Sequence, residues 1–475
     1  MGQMRWSISV RIKMIEESIG LPAGFYVGLM LLALAFAYAW SKREAGLGIP
    51  MAAVLATVGV WYFGDAIYND YDSYIREIGI QHLESAWWQV ALFIGAFLLF
   101  VPLLHRMVNR KLLAQKSEFW VLMQRGGIDN LEFQRRLDIA TRLIFGVWSL
   151  LMLIALIRTN FDVLGLFAPY VSGKANPWGR GRVGSGFDAL ISFANYLQIM
   201  LAASFGIVAA VAKNPRTRWI GIIVTALSLP WFLLDRTRNT MLAVALPGLI
   251  AWVFVRFRGG IFLKIAILAA AFLVTEGWMK FVIETRSGAN IAMAFQQLGI
   301  GGVVEKVDST DTKHQGLNMF EELAWVNSFI DKGTYVINNG ARYFAELVNP
   351  IPRAIWPDKP MIGIDYAIAR GQLYGGAGDE QAGVGATIST GMIGQGVVNF
   401  GGFFGVLAAA LLMAYWVVIL ARQDLLGAKM GRMLLFFIGC VLTFNLGRDI
   451  TLITLYPFLF GYFMLAFWAK AHGER

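Results

Sequence analysis

Charge is scarce in this chain, and so are cysteine and histidine. Of its 475 residues only 15% are charged, while 57% are hydrophobic. An ordinary soluble domain carries about 25% charge, so the shortage excludes a soluble globular protein: no core could hide that much apolar surface. The single cysteine, Cys440, lies inside an apolar run; this excludes an intramolecular disulfide and suggests no metal-thiolate site. The four histidines, His82, His105, His314 and His472, are scattered, and no cluster has metal-ligand spacing. The net charge of +10 is no nucleic-acid signal, because the basic residues fall mainly in short connections between apolar runs, as orienting a membrane protein requires. The alternating pattern of a transmembrane barrel is absent.

What the chain has in abundance is long apolar runs. Several approach or exceed the roughly 18 residues that read as membrane-spanning helices, and in lipid such runs must be helical to satisfy their own backbone. The runs fall at 22–40, 48–67, 86–105, 139–158, 188–212, 218–234, 239–255, 261–283, 400–421, 432–447 and 450–470. The expected fold is therefore an all-α polytopic membrane protein with about 11 (about 10 to 13) transmembrane helices and one large, partly helical outer loop. Three regions follow: 1–283 with eight spans and an N-terminal interfacial segment, 284–399 as the large loop, and 400–475 with the last spans. Ile8, Ile12, Ile15 and Ile19 recur at helical intervals in the interfacial segment. No small-residue cleavage site follows it, so 22–40 reads as a first span and not a removed signal.

Lysine and arginine set the orientation. Loop 106–138 holds Arg106, Arg110, Lys111, Lys116, Arg125, Arg135 and Arg136; the connections at 213–218, 256–260 and 422–431 are also basic. These belong on the cytoplasmic side. The complementary side then carries 68–85, 159–187, 235–238, 284–399 and 448–449. The same alternation puts the N-terminus outside, against the bias of Arg5, Arg11 and Lys13. The long outer segment is rich in aromatics and glycine, which argues against disorder. Within it 315–331 and 333–348 read as helices, and 384–399 as a re-entrant or membrane-surface helix.

Four outer motifs could carry chemistry, each competing with a plain reading as a helix-end charge. The turn DRTRNT places Arg236 and Arg238 at the start of a helix, where a guanidinium fork and the helix N-terminus both suit phosphate. Glu284 and Arg286 stand where a span enters the large loop. The strap NPIPRAIWPDKP, Asn349 to Pro360, has four prolines in twelve residues; it reads as rigid and extended, holding Arg353 and Lys359 with Trp356 between them. Arg448 and Asp449 lie at the turn before the last span. Together these put several cations on one face of the membrane, a costly arrangement unless an anion meets it. A diphosphate on a lipid carrier is the natural anion at that depth.

The strap, the glycine-rich GVGATISTGMIGQGVVNFGGFFG that follows it (Gly383 to Gly405), the arginine turn at Arg236 and Arg238 and the helix-rich layout resemble the Wzy-type O-antigen and oligosaccharide repeat-unit polymerases. The resemblance is concentrated in about 350–405. It implies a metal-independent, cofactor-free membrane glycosyltransferase of the GT-C class in the bacterial inner membrane, active on the periplasmic side. Its substrates would be undecaprenyl-diphosphate-linked oligosaccharides, with membrane lipid as surroundings and a chain-length regulator and a flippase as candidate partners. By carry-over, Arg353 and Lys359 take the strap's basic positions and Arg236 or Arg238 the arginine of the turn. The expected catalytic residues are Arg286, Arg353, Glu322 and Asp449, with Arg236, Arg238, Lys359, Arg448 and Trp356 binding diphosphate or substrate. Glu284 and His314 are further candidate bases. An acid would be expected near Gln395, where this chain has an amide.

Three other readings remain open on the sequence. An O-antigen ligase would rely on a histidine in the large loop, for which only His314 is available. A metal-dependent transferase would use Asp65, Asp70 and Asp72. A lipid-linked oligosaccharide flippase would show inverted repeats and broken helices, which the sequence lacks; charges that could line a pathway are few, and Glu276 and Lys280, near the end of one span, are spaced to pair with each other.

Overall fold

A computed structural model describes residues 21–124, 127–167, 178, 188–233, 238–284, 318–349, 351, 355–360, 364–370, 388–429 and 431–471. All regular structure among them is helical. In chain order the helices are α1 (Ala23–Ser41), α2 (Gly48–Val58), α3 (Gly64–Tyr68), α4 (Tyr71–Glu77), α5 (Ile80–Val108), α6 (Glu118–Gln124), α7 (Leu131–Arg158), α8 (Val163–Phe167), α9 (Asp188–Val211), α10 (Pro215–Leu233), α11 (Arg238–Ala251) and α12 (Ile261–Glu284). After the outer segment begins come α13 (Met319–Asp331), α14 (Ala341–Val348), α15 (Ile364–Ala369) and α16 (Gly391–Phe400), then α17 (Phe404–Leu425), α18 (Arg432–Arg448) and α19 (Leu452–Ala471).

Every apolar run in the sequence is a helix. Six are long and apolar enough to cross a membrane: Ala23–Ser41, Gly48–Ile67, Ile80–Val108, Leu131–Arg158, Phe193–Val211 and Phe404–Leu425. The molecule is thus a multi-pass membrane protein by length and composition, with six such helices among the described residues against the roughly eleven (about 10 to 13) expected. The remaining five runs are the helices α10, α11, α12, α18 and α19. Helix α10 opens with Arg216 and Arg218, and α11 and α18 are 14 and 17 residues long. The N-terminal segment 1–20 lies outside the described residues.

The connections gather at two ends of the bundle. At one end, Ser117 donates its amide to the Glu44 carbonyl at 2.8 Å, and the Phe119 amide donates to Asp424 at 2.9 Å. There too Asn109 Nδ2 donates to the Val418 carbonyl, Gln134 Nε2 to the Val211 carbonyl, and Arg256 to the Ala212 carbonyl. This is the end with the short basic connections. Asn130 caps α7 by accepting from the Glu132 and Phe133 amides, which fits the asparagine preference at helix starts.

The other end is built by the outer segment folding back into the bundle. Helix α13 packs on α5 and α16, and α16 packs on α17. Gln89 and Asn327 exchange two amide hydrogen bonds of 2.9 and 3.0 Å across α5 and α13. Helix α16 is enclosed from Gly391 to Asn399; of the two expected placements, re-entrant or membrane-surface, this excludes the membrane surface and makes the helix a core element. Its close approach to α17 depends on Gly396 and Gly405, where an added Cβ on either would strike the other's backbone. The expected helix at 315–331 begins at Met319. The one expected at 333–348 is helical only from Ala341, because Gly333 and Gly340, both at positive φ, punctuate the stretch.

Candidate functional site

Three buried polar clusters occupy the end of the bundle formed by the outer segment. The first is centred on Asp65, a fully buried carboxylate just after a wide π turn at Gly59–Phe63. Its Oδ1 accepts from Asn69 Nδ2 at 2.6 Å and the Tyr74 hydroxyl at 2.9 Å. Its Oδ2 accepts from the backbone amides of Phe320 and Glu321 at 2.8 and 3.0 Å. Asp65 therefore caps the N-terminus of α13 from a distant part of the chain, where amides and helix dipole both favour a negative charge. Asp70 instead pairs with Arg76 at 3.6 Å on the surface. Among the described residues, no group of three His, Cys, Asp or Glu is arranged to hold a metal.

The second cluster surrounds Glu322. Arg370 donates to it through Nε at 3.2 Å and Nη2 at 3.0 Å, a bidentate pair. Tyr366 donates at 2.6 Å and Asn318 at 3.3 Å. The Arg370 guanidinium lies 4.6 Å from the Trp325 ring centre and 3.5 Å from Glu321. Burial pushes the Glu322 carboxyl upward, and Arg370 draws it part of the way back. Both Glu322 oxygens accept hydrogen bonds, and these tie α15 to α13.

The third cluster is less completely paired. Arg342, on α14, lies 3.6 Å from Asp449, the residue ending α18; their side chains are 4% and 16% exposed. Ser389 and the backbone of Thr390 also hydrogen-bond to Asp449. Burial raises the Asp449 carboxyl above its ordinary range, against the pull of Arg342 and the neighbouring Arg448. Yet, among the described residues, Arg342 Nε and Nη1 have no hydrogen-bond partner, nor do Asp449 Oδ1, the Tyr343 hydroxyl, Thr390 Oγ1 and Asn445 Oδ1. Burying such groups unpaired costs about 1 to 3 kcal/mol each, so the concentration of them marks a place where polar atoms await a partner. Tyr62 lies within electrostatic reach of Asp449 and Tyr343, and accepts the Ile393 amide at 2.9 Å. Gly391 makes room for it: the φ there is +76°, and an added Cβ would stand 2.5 Å from the Tyr62 hydroxyl.

Gln395 is explained by its neighbour. Its amide donates to the Ile450 carbonyl at 3.2 Å and accepts the Ile450 amide at 2.8 Å. A carboxylate could accept but would face the carbonyl oxygen with no proton to offer. The amide thus fixes the backbone just after Asp449.

Of the residues expected from sequence, Glu322 and Asp449 lie in buried clusters and Arg448 is half-buried beside Asp449. Lys359 Nζ donates to the Asn349 and Ile351 carbonyls at 2.7 and 2.8 Å, stapling the strap that carries it. Trp356 meets the Phe344 ring edge-on at 6.4 Å. Arg236, Arg286, His314 and Arg353 lie outside the described residues. Arg238 begins α11 and Glu284 ends α12, but their side chains, like those of Glu276 and Lys280, are outside the described set. Arg342 and Arg370 were not anticipated. Arg342 had one signal: it and Glu346 stand four residues apart on a short, otherwise largely apolar helix. Arg370 had none. Comparison with family models, characterised proteins and solved structures yields no match for this chain.

Proposed function

We propose that the chain polymerises undecaprenyl-diphosphate-linked oligosaccharide repeat units at the periplasmic face of a bacterial inner membrane, through eleven membrane crossings and without a metal. The observation that carries this reading is Arg342, a buried guanidinium beside Asp449 with two nitrogens that have no partner among the described residues. A guanidinium fork matches phosphate oxygens. In the sequence, α10 is followed by the Arg236–Arg238 turn and α12 by Arg286.

In the proposed reaction the acceptor hydroxyl attacks the anomeric carbon of the growing chain. The new C–O bond forms as the bond from that carbon to the lipid diphosphate breaks, and the diphosphate leaves with the electron pair. Arg342, with Arg286, Arg353 and the turn arginines, neutralises the charge that develops, which is usually the largest catalytic contribution. The hydroxyl proton passes to Asp449, whose burial makes it a better base than an exposed carboxylate. Lys359, Trp356 and Arg448 hold the strap and the helix end around the substrate.

The test is deletion of the gene in the source bacterium, with complementation by Arg342→Gln. Loss of long surface glycan with single repeat units still attached supports the proposal. Polymer retained on the carrier lipid would indicate a ligase, and failure of the lipid-linked unit to reach the outer face would indicate a flippase; either result overturns it.

A further inference from the structure

Helix α14 is amphipathic in the opposite sense to a helix on a water-soluble protein. Its charged residues face inward: Arg342 is 5% exposed and Glu346 3%. Its large apolar residues face outward: Phe344 is 50% exposed and Leu347 64%. On a surface facing water, each large apolar side chain left exposed would forgo about 1.5 to 3 kcal/mol, and burying the charges would add a further cost. The pattern is favourable only where the outer phase is itself apolar.

The exposed apolar surface also continues beyond the helix. Ile355, on the strap, is 76% exposed, and Phe403 and Phe404, leading into the membrane-spanning α17, are 57% and 70% exposed. Phe400 links the two parts, 6.1 Å from the Tyr343 ring and against Gly340 at the start of α14. The face of α14 is therefore an extension of a surface that already belongs to a membrane span.

We infer that α14 is immersed in the hydrocarbon of one leaflet, with lipid acyl chains lying on Phe344, Leu347 and Ile355, and that this helix forms the wall between lipid and the Arg342–Asp449 cluster. That wall is one helix thick, about 10 Å. A lipid phosphate entering sideways would thus reach the buried guanidinium around a single short helix, without crossing the bundle. The inference stands on the inverted helix alone and does not require the proposed chemistry.

The experiment uses the full-length protein in vesicles of phosphatidylethanolamine and phosphatidylglycerol. Nitroxides are placed at 344 and 347 in a Cys440→Ala background, with position 411 on α17 as a lipid reference and position 116 as a water reference. Collisions with oxygen should exceed those with a nickel chelate at 344 and 347, as at 411. Nickel accessibility matching position 116 would overturn the inference, as would protection from both reagents, which would mean that another protein surface covers the helix. Should the labelled variants misfold, the unaltered protein can be photolabelled by a lipid carrying a diazirine on its acyl chain. Adducts are then expected in the tryptic peptide 343–353, and a peptide left unlabelled while α17 is labelled would count against it.

Discussion

The two ends of the bundle are held together in different ways. At the basic end, polar side chains mostly meet backbone groups: Asn109 with Val418, Gln134 with Val211 and Lys213, Asp424 with Phe119; the unpartnered atoms there, Asn109 Oδ1, Arg43 Nε and Arg256 Nε, are scattered. Its ion pairs are largely exposed, as in Lys213–Asp129 and Lys116–Glu44. At the opposite end, the ionic groups are buried and linked through the outer segment. Two of its clusters, around Asp65 and Glu322, are filled with hydrogen bonds, while the third, around Arg342, is not. Water can screen and satisfy exposed charges at little cost, whereas a buried charge must be paired inside the protein or by a ligand. Among the described residues the unfinished pairing is concentrated around Arg342, where charge is buried and pairing matters most, and this is the physical ground for proposing a site there.

The contrast can be broken most forcefully at Glu322. Glu322→Ala leaves Arg370 buried beside Glu321 with its main partner gone, and should destabilise by about 3 to 5 kcal/mol. The double variant Glu322→Ala/Arg370→Ala should recover much of that loss. Thermal unfolding in detergent measures both, and additive losses would mean that the pair is not coupled. Asp65→Ala should cost about 3 kcal/mol by removing the cap of α13 and leaving two amides unsatisfied. The same melting experiment checks this, alongside faster proteolysis between 318 and 331.

The third cluster should respond differently. Arg342→Met/Asp449→Asn removes a poorly satisfied pair, so the melting temperature should hold or rise, while long glycan disappears in the complementation assay. A stable double variant with normal glycan length would remove the cluster from the proposed site. Acidity sharpens the same point. The folded-state pKa of Asp449 is raised, so the native state holds a proton that the unfolded chain releases. Stability from that proton is present at low pH and lost as pH rises from the ordinary carboxylate value through the folded one, about 1.4 kcal/mol per unit of difference. Asp449→Asn should flatten the part of the stability profile that lies above the ordinary carboxylate range. The smallest effect belongs to the basic end: Lys213→Gln should change stability by less than about 1 kcal/mol, with little dependence on salt.

Much of the helical framework was legible because a bilayer imposes its requirement on every span. A run such as 80–108 must be apolar and must be a helix, whatever its neighbours. The interior helix α16 was harder to place, since small, weakly apolar residues suit both a membrane surface and a close helix crossing. Gly396 and Gly405 settle the matter only when they are seen against each other. Among the residues of the buried clusters, Asp449 and Glu322 stand out in the sequence as acids on outer segments. Their partners do not, because Arg342 and Arg370 come from elements whose docking no local pattern encodes.

The sequence by itself determined the class of molecule, the positions of the apolar helices and the basic connections between them. These follow from local composition, since lipid and water select residues one segment at a time. Only the tertiary structure decided which charges are buried, which are satisfied and which face of α14 looks outward. Those properties belong to pairs of distant residues: Asp65 with the start of α13, Arg370 with Glu322, and Arg342 with Asp449. The cost of burying a charge depends on what the rest of the fold brings to meet it.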